Sequence, residues 1–107
     1  MKRLINWIIS LISKRKRLRF IFVREFPKEI KTNNVYIECD LRHNEFWYAK
    51  FKCPCGCGDI LTLNLMNEDP PNWKLINNNG FSLSPSIRRK VKCESHFWII
   101  NSKIKWC

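Results

Sequence analysis

Cys53-Pro54-Cys55-Gly56-Cys57-Gly58 and, well downstream, Cys93-Glu94-Ser95-His96 are the stretches that decide how this chain folds. Three thiols within five residues, followed by a separate Cys-x-x-His, are the kind of soft ligands that converge on one tetrahedral zinc ion. Gly56 and Gly58 permit backbone turns beside the sulfurs that a β-carbon would resist, and Pro54 stiffens the first step. The candidate ligands are Cys53, Cys55, Cys57, Cys93 and His96, one more than a tetrahedron takes. The expected set is three cysteines with His96. Cys55 and Cys57 are the first choice from the knuckle, and Cys53 with Cys57 is geometrically reasonable as well. A catalytic zinc keeps one position open, so a site this rich in ligands is expected to be closed and structural.

Working outward from the knuckle, the flanking segments read as strands. Phe46-Trp47-Tyr48-Ala49-Lys50-Phe51-Lys52 runs into it, and Asp59-Ile60-Leu61-Thr62-Leu63-Asn64-Leu65 leaves it with apolar residues at alternate positions. The knuckle therefore sits at a hairpin tip. Arg19–Arg24 and Val35–Glu38 are rich in β-branched and aromatic residues, with Pro27 and Thr32-Asn33-Asn34 as punctuation between them. Trp73–Ile76 and Phe81–Leu83 flank Asn77-Asn78-Asn79-Gly80, and Asn101-Ser102 joins Phe97–Ile100 to Lys103–Trp106 as a two-residue turn. The expected fold is mainly β: a small, antiparallel, zinc-stapled domain over residues 18–107, zinc-ribbon-like or β-tent-like.

Residues 1–17 are expected to form a separate basic leader. Asn6, Ser10 and Ser13 fall on one stripe of a short amphipathic helix whose broad face carries Trp7, Ile8 and Leu11. Too short to span a bilayer, it suits either a packed helix or, through residues 4–19, the surface of an anionic membrane. The chain has a net charge of +11, yet seven of its 20 Lys and Arg residues lie in the first nineteen positions, which hold no acid. The remaining 13 face nine acidic residues, and zinc on three thiolates and a neutral histidine would add a net −1, so the folded core is expected to be close to balanced. Six cysteines without an export signal indicate a reducing cytoplasm, with a peripheral membrane contact through the leader as the alternative to a packed helix.

Other chemistry is weaker. Cys39 and His43 stand four apart in a polar stretch with no second pair. Ser82, Ser84 and Ser86 surround Pro85 without a Gly-x-Ser-x-Gly elbow, and a turn is expected there. A thiol left beside the metal, such as Cys53, or the terminal Cys107, could act as a nucleophile. Trp47, Trp73, Trp98 and Trp106 with the Arg88-Arg89-Lys90-x-Lys92 run could bind nucleic acid, although small β cores also fill with tryptophan.

The order of Cys-Pro-Cys-Gly-Cys-Gly, Trp73, Phe81–Ile87, Cys93-Glu-Ser-His96-Phe97-Trp98-Ile99 and Ile104-Lys105-Trp106-Cys107 resembles the small bacterial proteins grouped as domain-of-unknown-function family 6527, over roughly residues 20–107. The resemblance implies a zinc-binding protein, some of whose relatives are encoded beside ubiquitin-like modifiers and their conjugating enzymes. It supports the same five candidate ligands and assigns no catalytic residue. The expected function is a non-enzymatic adaptor with a protein partner, a ubiquitin-like modifier or one of its conjugation enzymes. The alternatives are a nucleic-acid-binding module and a thiol-dependent transfer enzyme. No small-molecule substrate is expected.

Overall fold

The computed structural model describes residues 17–66, 70–90 and 93–107. The expected leader helix lies outside the described residues. Eight strands form two four-stranded sheets. The first sheet holds β1 (Arg19–Val23), β2 (Asn34–Asp40), β3 (Glu45–Lys52) and β4 (Ile60–Asn64) in chain order. The second holds β5 (Lys74–Asn77), β6 (Phe81–Arg88), β7 (His96–Ile100) and β8 (Lys103–Trp106), again in chain order and antiparallel throughout. The mainly β expectation holds, with one departure: β1 pairs parallel to β2.

A parallel pair needs a crossover, which residues 24–33 supply over the outer face of the first sheet. Ile30 is buried in that crossover, and the ring of Phe26 lies 4.4 Å from Lys50 Nζ, on the face that Lys50 shares with Tyr36. Val35, Tyr36 and Ile37 are consequently buried in succession. A strand covered on both faces loses the alternation that a half-exposed strand shows.

The inner faces of the two sheets meet in one core. Val35, Ile37, Ala49, Phe51 and Leu63 from the first sheet pack with Leu83, Ile87, Phe97 and Ile99 from the second. Phe51 meets Phe97 edge to face at 6.4 Å, and Phe81 takes Phe20 and Phe22 at 5.0 and 5.2 Å. Leu18 N–H also donates to the Ser102 carbonyl, tying the start of β1 to the turn between β7 and β8. In that turn Asn101 and Ser102 both have positive φ, 51° and 64°, as a two-residue hairpin requires. The β5–β6 turn packs against it: Gly80 has φ +125°, and a β-carbon there would lie 3.0 Å from the Asn101 backbone.

The turn expected around Pro85 is instead part of β6. Leu83 pairs with Ile99 and Ile87 with Phe97, so Ser84, Pro85 and Ser86 together oppose only Trp98. This bulge lets the strand continue to Arg88 while pushing Pro85 out into solvent. Among the described residues, no helix is long and apolar enough to cross a membrane.

Candidate metal centre and serine–histidine pair

Two hairpin tips, one from each sheet, come together at one end of the sandwich. The tip between β3 and β4 is closed by Cys53 N–H donating to the Asp59 carbonyl at 2.8 Å, with Gly56 N–H turning back to the Cys53 carbonyl at 3.2 Å. Cys57 N–H donates to Cys55 Sγ at 3.3 Å, so the knuckle turns its backbone donors onto its own sulfur. The tip between β6 and β7 is closed by Arg89 N–H on the Ser95 carbonyl, 2.8 Å, and carries Cys93 within it.

The sulfurs of Cys53, Cys55, Cys57 and Cys93 all lie within 4.8 Å of one another and could hold a metal ion. Cys53 Sγ is 3.3 Å from Cys55 Sγ and 3.6 Å from Cys93 Sγ. Four thiolates about 2.3 Å from a zinc ion stand about 3.8 Å apart, so the spacing fits a tetrahedral ion. Cys53 is buried, Cys93 is half-buried, and Cys55 and Cys57 face solvent. The Ser95 hydroxyl donates to Cys93 Sγ at 3.1 Å. That bond, more than any other contact, brings the Cys93 thiol down to about 6. Burial opposes the shift, while the Ser95 backbone and the neighbouring Cys55 and Cys53 thiols assist it.

Arg89 completes the site. Its guanidinium reaches Cys57 Sγ at 3.5 Å and Cys93 Sγ at 3.4 Å, and its other amino group binds the Asp59 carboxylate at 2.9 Å. Within the basic run that the sequence offers for nucleic acid, Arg89 is thus turned onto the sulfurs and Asp59, its side chain only 11% exposed. Outer-shell donors of this kind orient thiolates and offset their charge.

His96, expected as a ligand beside three of the cysteines, is turned elsewhere. It opens β7 on the outer face of the second sheet, opposite Arg88, while Phe97 beside it points into the core. Its Nε2 lies 3.0 Å from Ser86 Oγ. The bulge in β6 presents that hydroxyl, and Trp73 Nε1–H holds the Ser86 carbonyl at 3.4 Å. With the ring proton on Nδ1, Ser86 donates to Nε2, the arrangement in which histidine can accept a serine proton. In the sequence Ser86 is only one of three serines around Pro85, with no elbow motif to single it out. The signal available there is the surplus itself: four thiols suffice for a tetrahedral ion and would release the histidine.

The remaining candidates separate from the site. Cys39 is buried, and burial is the main cause that raises its thiol pKa. His43 binds the Asp40 carboxylate at 2.9 Å on an exposed turn. Cys107 is exposed, and its N–H donates to the His96 carbonyl at 3.1 Å.

A family model described as bacterial ubiquitination-like system serine protease (BubE) matches residues 22–107. The ubiquitin-like association implied by the sequence is shared, though the matched family bears another name than 6527. Comparison with curated proteins and with solved structures finds no match.

Proposed function

The chain belongs to the BubE family of a bacterial ubiquitination-like system, and from that premise we propose that it is a serine peptidase in which Ser86 is the nucleophile and His96 the general base. The observation that carries this reading is the 3.0 Å contact between Ser86 Oγ and His96 Nε2 on an accessible sheet face. Ser86 Oγ attacks the carbonyl carbon of the scissile amide as His96 Nε2 takes the hydroxyl proton. Collapse of the tetrahedral species breaks the C–N bond, and His96 returns that proton to the departing amine. A water molecule, deprotonated by His96, then hydrolyses the Ser86 ester and regenerates the free hydroxyl.

Zinc is the ion assigned to Cys53, Cys55, Cys57 and Cys93, since four thiolates make a soft, closed site that supplies structure and leaves no position for substrate. Its place in the chain gives the site a task. Cys93 lies on the connection between the strand that carries Ser86 and the strand that opens with His96. Fixing that connection to the β3–β4 tip fixes the register on which the Ser86–His96 distance depends. The peptidase partner is a protein of the ubiquitin-like pathway, in keeping with the family.

A fluorophosphonate probe tests the activity directly. The expected result is one covalent adduct on Ser86 by mass spectrometry, abolished in Ser86→Ala and reduced at least ~10³-fold in rate in His96→Ala. Absence of the adduct in folded, metal-loaded protein would favour a second reading, an adaptor without catalysis, for which the closed four-thiol site is the supporting observation.

A further inference from the structure

The modest net charge of residues 18–107, 14 Lys and Arg against nine acids, conceals a strong asymmetry between the two halves of the domain. Residues 18–69 carry seven Lys and Arg against eight acids, whereas residues 70–107 carry seven against Glu94 alone. Strand alternation concentrates the excess on one surface. Lys74 stands opposite Ser84, Arg88 opposite His96, Lys105 opposite Trp98 and Lys103 opposite Ile100. These pairs share the outer face of the second sheet, because Leu83, Ile87, Phe97 and Ile99 take the inner one. No strand of this sheet contains an acidic residue.

The same face is not uniformly polar. Ile76 and Ile100, 44% and 38% exposed, stand among the lysines, and Ser86 with His96 lies between them and the metal centre. A positive surface interrupted by aliphatic side chains complements a polypeptide in which acidic and apolar residues alternate. A polynucleotide would leave both isoleucines without a partner, and Trp98 is half-buried rather than offered as a stacking platform.

We infer that the outer face of the second sheet is the substrate-docking surface, and that it takes an acidic, apolar-spaced polypeptide running over Lys103, Lys105 and Ile100 toward Ser86. This rests on the peptidase reading for its orientation, while binding itself does not require cleavage.

The test uses the full, metal-loaded chain with Ser86→Ala, labelled with ¹⁵N. The probes are a ten-residue peptide of alternating Glu and Leu, the same peptide with Gln for Glu, and a ten-residue oligothymidylate. The Glu-Leu peptide is expected to bind with amide shifts at Ile76, Trp98, Ile100 and Lys105. Its affinity should fall about tenfold as salt rises from about 50 to about 300 mM. The double variant Lys103→Glu/Lys105→Glu should bind it at least about tenfold more weakly, with an unchanged melting temperature. Equal binding of the Gln peptide, shifts confined to another surface, or tighter binding of oligothymidylate to this face would each overturn the inference. Peptide binding without Ser86 labelling would sink the peptidase reading alone, and labelling without peptide binding would sink the docking surface alone.

Discussion

Cys53 and Cys93 bring their sulfurs to 3.6 Å although each stands on the tip of a different sheet. The pair joins the two halves of the domain at the end where Ser86 and His96 lie. Cys53→Ser removes the buried member of the cluster and leaves Cys93 facing an incomplete donor set. Metal content, measured by inductively coupled plasma mass spectrometry, is expected to fall from about one zinc per chain to near zero. Chelation of the unmodified protein should lower the melting temperature, and undiminished stability in the metal-free state would refute the staple.

Arg89 gives a second, graded test. Its guanidinium bridges two cysteine sulfurs and Asp59, so Arg89→Ala should weaken zinc about 10- to 100-fold in a competition titration with a chromogenic chelator. Arg89→Lys is expected to recover only part of this, because an ammonium cannot reproduce the planar fork. Wild-type affinity in the alanine variant would show that the four sulfurs need no such support.

The exposed turn between β2 and β3 offers a pH experiment away from the metal. Asp40 holds the His43 ring above its ordinary range, chiefly through their hydrogen bond, and His43 holds Asp40 below the ordinary carboxylate range for the same reason. The His43 contribution to stability is present below the unfolded histidine value and disappears as pH rises through the folded one. The Asp40 contribution is present above the unfolded carboxylate value and disappears as pH falls through its lowered folded one. The ion pair therefore acts in the weakly acidic window between them. An NMR titration should find His43 above 6.5 in the native chain and lower in Asp40→Asn; identical titration curves would refute the pairing.

Phe97 is fully buried, meeting Phe51 across the sandwich and Trp106 at 5.5 Å on its own sheet. Phe97→Ala should cost about 3–5 kcal/mol in chemical denaturation, as expected of a large-to-small change at a packed aromatic contact. A cost below about 1 kcal/mol would mean that the sheets are not held by this core.

Much of this architecture is legible in the sequence. The knuckle, its flanking strands and the Asn101-Ser102 turn are local, and local chemistry of turn residues and alternation is enough to place them. The parallel pairing of β1 with β2 is not local, because the crossover that permits it hides the periodicity of Val35-Tyr36-Ile37. The candidate metal ligands are legible as a group of five, and the choice within the group depends on which face of β7 the histidine occupies. The serine was illegible for a related reason: its position depends on a bulge defined by Ile99 and Phe97, residues on the next strand. Charge shows the same limit, since the net charge of the domain divides between the sheets only once the strands are assigned.

The bulge in β6 carries a further constraint on sequence length. From Leu83 to Ile87 is four steps, against two from Ile99 to Phe97, so the surplus is even and both apolar residues still face inward. Losing one residue here would invert the side-chain parity of Ile87 and Arg88, exchanging a core isoleucine for a cation. Losing two would spare the interior and erase the bulge that presents Ser86 to His96. Natural insertions and deletions in this strand should therefore come in pairs.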